Sequence, residues 1–197
     1  MSHYYTNDET LNHNIQTIEI KVKQTTLKLE TDRGVFSKTG LDYGTRVLLE
    51  NVELSSEPLK VVDMGCGYGP IGLYIAKTYP NAIVYMTDIN LRAIDLAIKN
   101  SRMNQLKNVA INQGFLFEHI LEEVDIVLTN PPIRAGKQTI FTLYEQAFQK
   151  LKTGGLLYVV IQKKQGAPST LAKLESLFGE VTILDKNKGY WILSAKK

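Results

Sequence analysis

Three short stretches in a chain of 197 residues hold the side chains that could do chemistry. The first is Asp63-Met64-Gly65-Cys66-Gly67-Tyr68-Gly69-Pro70, where an apolar run (Leu59, Val61, Val62, Met64) ends in alternating glycines. Strand, glycine turn and helix start let a backbone approach a nucleotide closely, with a helix N-terminus beside it. Pro70 suits the first helical position, because its missing N–H would be unbonded there anyway. It also fills the slot that a dinucleotide fingerprint gives to its third glycine, which argues against a dinucleotide. The second stretch centres on Asp88, at the end of the next apolar run. A carboxylate there can accept hydrogen bonds from two vicinal ribose hydroxyls, and its competing task is to cap the helix that follows. The third is Asn130-Pro131-Pro132, placed after the apolar run Val124–Thr129. Its prolines have fixed φ and donate no N–H, so they stiffen whatever acceptors the turn presents.

Taken together, the glycine turn, Asp88 and Asn130-Pro131-Pro132 resemble the class I S-adenosylmethionine-dependent methyltransferases. The resemblance implies S-adenosylmethionine as cofactor, with Gly65, Cys66, Gly67 and Gly69 against its methionine and ribose end. Asp63 would fix the turn or contact the cofactor's amino group, and Asp88 and Ile89 would meet the ribose. Many relatives carry an acidic residue after the third core strand that binds the adenine amino group, but this chain has Gly114 and Phe115 there. Either backbone atoms near Gly114 accept that hydrogen bond or Phe115 packs against the adenine; the competing reading places Phe115 and Phe117 in the core.

In such enzymes Asn-Pro-Pro marks transfer to a planar nitrogen, either an exocyclic base amine or a glutamine amide. The Asn130 side-chain oxygen, close to the cofactor, and the Pro131 carbonyl would hold the two N–H groups and stabilise charge developing on nitrogen, with Pro132 stiffening the pair. The next residue is often aromatic in this group; here it is Ile133. Arg134 and Lys137 follow, and Lys163 and Lys164 lie at the end of the fifth core strand, so two basic clusters on one rim favour a phosphate-bearing substrate. From about residue 30 to residue 197 the chain is similar to the small methyltransferase family that contains the ribosomal RNA guanine-N2 methyltransferases, specifically to their catalytic half. Asp32-Arg33-Gly34-Val35-Phe36-Ser37 and Leu41-Asp42-Tyr43-Gly44-Thr45 match that family, which implies that Phe36 and Ser37 lie near the cofactor or target pocket and contact the substrate. The expected partner is ribosomal RNA or the small ribosomal subunit. Those enzymes carry an additional N-terminal domain, so a homodimer or direct docking on the particle would replace it here. The alternatives are a protein-glutamine or small-molecule amine N-methyltransferase, and a cofactor-binding protein without turnover.

The elements that must position these residues follow from hydrophobic periodicity. Residues 1–14 are polar and aperiodic, a leader to the rest. Residues 15–52 form an N-terminal extension: period-two alternation (Ile18, Ile20, Val22, then Leu27, Leu29) predicts a β-hairpin around Gln24-Thr25, packed on the main sheet. A helix over 41–52 turns Val47, Leu48 and Leu49 inward. From residue 59 to 197 strands and helices alternate, which predicts an α/β fold, a doubly wound, mostly parallel seven-stranded sheet with helices on both faces. Strands are expected at 59–64, 82–87, 109–111, 124–129 and 156–162. Helices are expected at 70–79, at 91–104 with Asn90 as cap and Leu91, Ile94, Ala97 and Ile98 inward, at 138–151 and at 169–178. Gly154-Gly155 would stop the helix at 138–151. The strands 180–184 and 190–195, joined by a five-residue loop, would close the sheet as an antiparallel C-terminal hairpin.

Composition bounds the rest. The length suits one domain over residues 1–197, and 44% hydrophobic with 22% charged residues is ordinary for a soluble globular chain. A net charge of +3 is compatible with nucleic acid but too small to argue for it. Cys66 is the sole cysteine, so no internal disulfide forms and no metal site is expected; a small side chain tolerated in the turn explains it better than a reactive thiol. The N-terminus lacks a basic-then-apolar leader and no apolar run approaches the roughly 18 residues of a membrane span, so a cytoplasmic protein without a membrane partner is expected.

Overall fold

The computed structural model describes residues 14–32 and 40–197; Phe36 and Ser37, and residues 1–13 of the expected leader, lie outside the described residues. The main sheet is built from β3 (Lys60–Met64), β4 (Ile83–Asp88), β5 (Val109–Gln113), β6 (Val124–Thr129), β7 (Leu151–Gln162), β8 (Glu180–Asn187) and β9 (Tyr190–Lys196), numbered after a separate hairpin of β1 (Gln16–Val22) and β2 (Thr25–Thr31). Its order is β5-β4-β3-β6-β7-β9-β8. All pairings from β5 to β7 are parallel, and those of β9 with β7 and β8 are antiparallel. The chain steps outward from β3 to β5 and then returns to the other side of β3. The order therefore reverses between β3 and β6, where such sheets open a crevice at their carboxyl ends. The glycine turn leaves β3 and Asn130 leaves β6, so both flank that crevice.

Two apolar cores enclose the sheet, and alternate residues of each strand feed them. Val61, Ile126, Leu128, Tyr158 and Val160 join the first, with the hairpin and helices α1 (Tyr43–Asn51), α2 (Pro70–Thr78) and α3 (Leu91–Met103). Val62, Val127, Leu157, Val159 and Ile161 join the second, under α4 (Lys137–Lys150) and α5 (Ala167–Leu177). No helix among the described residues is long and apolar enough to cross a membrane.

Four expectations are corrected. The β1–β2 hairpin packs on α2 and α3 rather than on the main sheet, and its free β2 edge is satisfied by asparagines one helical turn apart. Asn100 Oδ1 accepts from Glu30 N–H (2.7 Å) while its Nδ2 donates to the Glu30 carbonyl (2.9 Å), and Asn104 repeats the pattern at Lys28 (3.2 and 2.7 Å). Side chains thereby occupy backbone groups that would otherwise template another strand. Secondly, Gly154-Gly155 do not stop α4, which passes directly into β7. They lie where β7 shifts register against β6, and they exchange backbone hydrogen bonds with Lys197 (2.7 and 3.0 Å). Thirdly, the final hairpin turns in two residues, Lys188 (φ 45°) and Gly189 (φ 83°), the positive-φ pair that matches strand twist, so Asp185 to Asn187 belong to β8. Fourthly, Leu91, the first residue of α3, is 44% exposed instead of inward; the helix face that packs inward begins at Ala93 and Ile94.

Candidate active site

Asp63, the next-to-last residue of β3, has no exposed surface, and its Oδ2 accepts from the Gly72 N–H at 2.7 Å. Gly72 is the third residue of α2, and the residue capping that helix, Gly69 (φ 101°), has no side chain with which to hold an orphan N–H. Asp63 supplies that cap from the preceding strand and so holds the turn between them. Burial pushes its carboxyl up to about 7, against the Gly72 bond and with help from the charge of Asp88. Asp88 is raised in the same direction by burial, countered by the backbone N–H groups it accepts. Its Oδ2 takes the Gly67 N–H (2.9 Å) and its Oδ1 the Asn90 N–H (2.8 Å). Capping of α3 falls to Asn90, which accepts from Ala93 N–H at 3.2 Å. Each Asp88 oxygen keeps acceptor capacity for a hydroxyl.

The rest of the turn is set by backbone. Gly65 and Cys66 N–H both donate to the Thr87 carbonyl (2.9 and 3.0 Å). The Cys66 side chain is part of the first core, and burial with two acidic neighbours pushes its thiol up, so Cys66 can face a ligand only through its backbone. Asn100 also donates to the Tyr68 carbonyl (2.9 Å), tying the N-terminal hairpin to the turn.

Beside Asp88 the paired phenylalanines separate. Phe117 is 5% exposed and in the core, whereas Phe115 is 51% exposed, like Ile89 at 39%. Ile89 and Phe115 follow β4 and β5, so two apolar side chains stand free next to a ribose-competent carboxylate, which fits a planar base. The Gly114 N–H is taken by the Asp88 carbonyl (3.0 Å). A carboxylate is nevertheless at hand: Glu118 Oε2 accepts from Phe115 N–H at 3.1 Å. A nucleoside with a free diol therefore matches the residues present.

Across the crevice, Asn130 is held from two directions. Its Nδ2 donates to Asp42 Oδ2 (3.1 Å) and to Thr45 Oγ1 (3.0 Å). Asp42 is itself fixed as the N-cap of α1 through the Thr45 N–H (3.0 Å). With both amide hydrogens engaged, Asn130 Oδ1 is left as an oriented acceptor. A Cβ placed on Gly65 would lie 3.7 Å from Pro132 Cδ, so the glycine turn and the Asn-Pro-Pro segment face each other. Thr129 Oγ1 bonds the Met64 carbonyl (2.9 Å) and locks the two strand ends together. Behind Asp42 stands Tyr190, whose hydroxyl is pushed up by burial foremost, with the charge of Asp42 adding to it. Its ring fills the space that a Gly44 side chain would need, with Cε1 2.5 Å from the Cβ position.

The basic residues divide. Ile133 packs on the second core, and exposed Arg134 follows it on a 3-10 turn. The Lys137 ammonium lies over the Phe141 ring (5.1 Å), while Lys163 and Lys164 line a depression with Lys188. Asp42, Thr45, Glu118 and Tyr190 are the site residues that motif reading misses. Asp42 and Thr45 fall in the stretch that matches the family, and their capping spacing before Val47-Leu48-Leu49 marks a helix start, but nothing local signals Glu118 or Tyr190.

The sequence matches the methyltransferase small domain model over residues 26–194. It is 42% identical to the uncharacterized protein YbxB of Bacillus subtilis, across 99% of this chain and 98% of that one. It is 32% identical to ribosomal RNA large subunit methyltransferase G of Shewanella amazonensis, across 87% of this chain and 46% of that one. The fold superposes on the T. thermophilus 16S rRNA N2 G1207 methyltransferase, solved with AdoMet and guanosine, with a TM-score of 0.83 at 24% identity, covering 93% of this chain and 50% of that one. The chain thus spans nearly all of YbxB and about half the length of the two ribosomal RNA enzymes.

Proposed function

The chain belongs to the methyltransferase small domain family, and from that premise we propose that it is an S-adenosylmethionine-dependent N-methyltransferase whose acceptor is an exocyclic base amine, guanine N2 of ribosomal RNA. The observation that carries this reading is the pinned Asn130 amide, whose two hydrogens are spent on Asp42 and Thr45, which leaves its oxygen to accept. Bound in the crevice, S-adenosylmethionine supplies a methyl group already activated by its sulfonium centre. The protein's task is then to hold and orient a weakly nucleophilic planar nitrogen, whose lone pair is delocalised into its ring. Asn130 Oδ1 and the Pro131 carbonyl accept the two N–H groups and turn the lone pair out of the ring plane. They also stabilise positive charge as it develops on nitrogen. Pro131 and Pro132 keep both acceptors stiff.

On the cofactor side, Asp88 takes the ribose diol, Ile89 and Phe115 enclose the adenine, and the glycine turn lies against the methionine end. Glu118 replaces the acidic residue that position 115 lacks and accepts from the adenine amino group. Glu118→Ala raises the Kd for S-adenosylmethionine about tenfold, the size of a lost hydrogen bond to a charged group, with Tm unchanged because Glu118 is exposed. Titration calorimetry reads this, and an unaltered Kd assigns the adenine amine to another acceptor.

Labelled S-adenosylmethionine incubated with deproteinised ribosomal RNA, with ribosomal subunits and with release factors tests the substrate class. Label in RNA, recovered as N2-methylguanine after digestion, is the expected result. Label in protein alone overturns the RNA reading in favour of a glutamine amide, and no label in any arm overturns turnover itself.

A further inference from the structure

Where β7 ends, a depression of about 550 Å³ is lined by Gln162, Lys163, Lys164 and Pro168 from one segment and by Lys188 and Gly189 from the tip of the β8–β9 hairpin. That volume lies within the roughly 300–1,000 Å³ of small-molecule sites. The two segments are fastened by the Lys163 N–H donating to the Gly189 carbonyl at 2.7 Å. Among the described residues no carboxylate comes within ion-pair distance of Lys163, Lys164 or Lys188. The Lys188 ammonium is instead held over the Tyr43 ring at 4.7 Å, and the Tyr43 hydroxyl donates to Asn187 Oδ1 at 2.9 Å. Three cations line one concavity, and among the described residues none of them has a carboxylate partner.

This concavity connects to the transfer site through side chains. Gln162, in its wall, donates to the Tyr190 hydroxyl. The Tyr190 ring packs on Gly44, and its hydroxyl feels the charge of Asp42. Asp42 and Thr45, on either side of Gly44, hold Asn130. Two layers, Tyr190 and then the Asp42–Thr45 segment, therefore lie between the wall of the depression and the residue that would grip the target amine.

We propose that this depression is a phosphodiester subsite for single-stranded RNA flanking the target nucleotide, with Lys163, Lys164 and Lys188 as its phosphate contacts. It rests on the RNA reading above and adds to it a hairpin-tip lysine that no motif marks. Tyr43 acts as a positioning residue, setting the Lys188 ammonium beside the other two.

Lys188→Asn is the informative variant, since asparagine adopts positive φ more readily than lysine and suits this turn, so the hairpin keeps its form. Binding of a fluorescently labelled single-stranded ribosomal RNA oligonucleotide to the full chain is read by anisotropy over a salt series, alongside methyl transfer. Lys188→Asn is expected to weaken RNA binding about fivefold and to reduce the slope of log Kd against log salt by about 0.7, the loss of one phosphate contact. KM for RNA rises, while kcat at saturating RNA and the Kd for S-adenosylmethionine stay unchanged. Tyr43→Leu gives a smaller effect in the same direction. RNA methylated with wild-type affinity and salt slope by Lys188→Asn overturns the subsite and leaves the RNA reading standing. RNA bound in a Lys188-dependent way but never methylated supports the subsite and overturns that reading. An acidic release-factor peptide bound in place of RNA overturns both.

Discussion

Asn130→Ala lowers kcat for methyl transfer by about 10²–10³-fold, the cost of deleting one preorganised acceptor for charge that appears in the transition state. The Kd for S-adenosylmethionine changes little, because the contacts proposed for its ribose and adenine lie after β4 and β5, across β3 from Asn130. The fold survives, because Asn130 is half-buried and its loss frees only Asp42 and Thr45, which still bond each other in the α1 cap. Asp42→Asn divides that effect. Asparagine caps a helix as well as aspartate does, so α1 and Tm hold while the charge that orients the Asn130 amide is gone. About a tenfold fall in kcat with an unchanged cofactor Kd is expected. Single-turnover transfer with titration calorimetry measures both variants. Full transfer by Asn130→Ala would sink the mechanism whatever the substrate proves to be.

Much of the fold is legible because parallel strands, buried on both faces, read as unbroken apolar runs, as Val61-Val62 and Val127-Leu128 do. The glycine turn, Asp88 and Asn130 are legible for a related reason: each sits directly after such a run, at the carboxyl end of a strand. What escapes is whatever depends on distant parts of the chain. Asp42 and Asn130 are 88 residues apart, and nothing local to either announces the bond. Gly154-Gly155 read locally as a helix stop, yet the register of β7 against β6 and the Lys197 backbone place them in a strand. Asn100 reads as one more polar residue of an amphipathic helix; its task is fixed by a strand edge 70 residues earlier. Phe115 and Phe117 have the same side chain two positions apart and opposite burial, a difference set by the turn between β5 and β6 and not by residue type.

The Asp63 carboxyl gives the second large effect, on stability. In the unfolded chain it titrates near 3.8, and in the folded chain burial lifts it to about 7. Between those values the native state keeps a proton that the unfolded state has released. Its contribution to stability is therefore complete below about pH 4 and is lost as pH rises toward 7. About three pH units at about 1.4 kcal/mol each sets an upper bound near 4 kcal/mol. Asp125 and Glu122, whose carboxyls lie below their ordinary values, push the wild-type curve the other way. The informative quantity is thus the difference between wild type and Asp63→Asn. The amide is neutral at every pH, and its oxygen can still accept from the Gly72 N–H that starts α2. Asp63→Asn should gain on wild type by up to about 4 kcal/mol between pH 4 and pH 8, measured from urea midpoints and slopes at each pH. Parallel pH curves for the two proteins would mean that Asp63 is ionised throughout. The glycine turn would then carry a fixed buried charge, and a cation bound against it would find its counter-ion already in place.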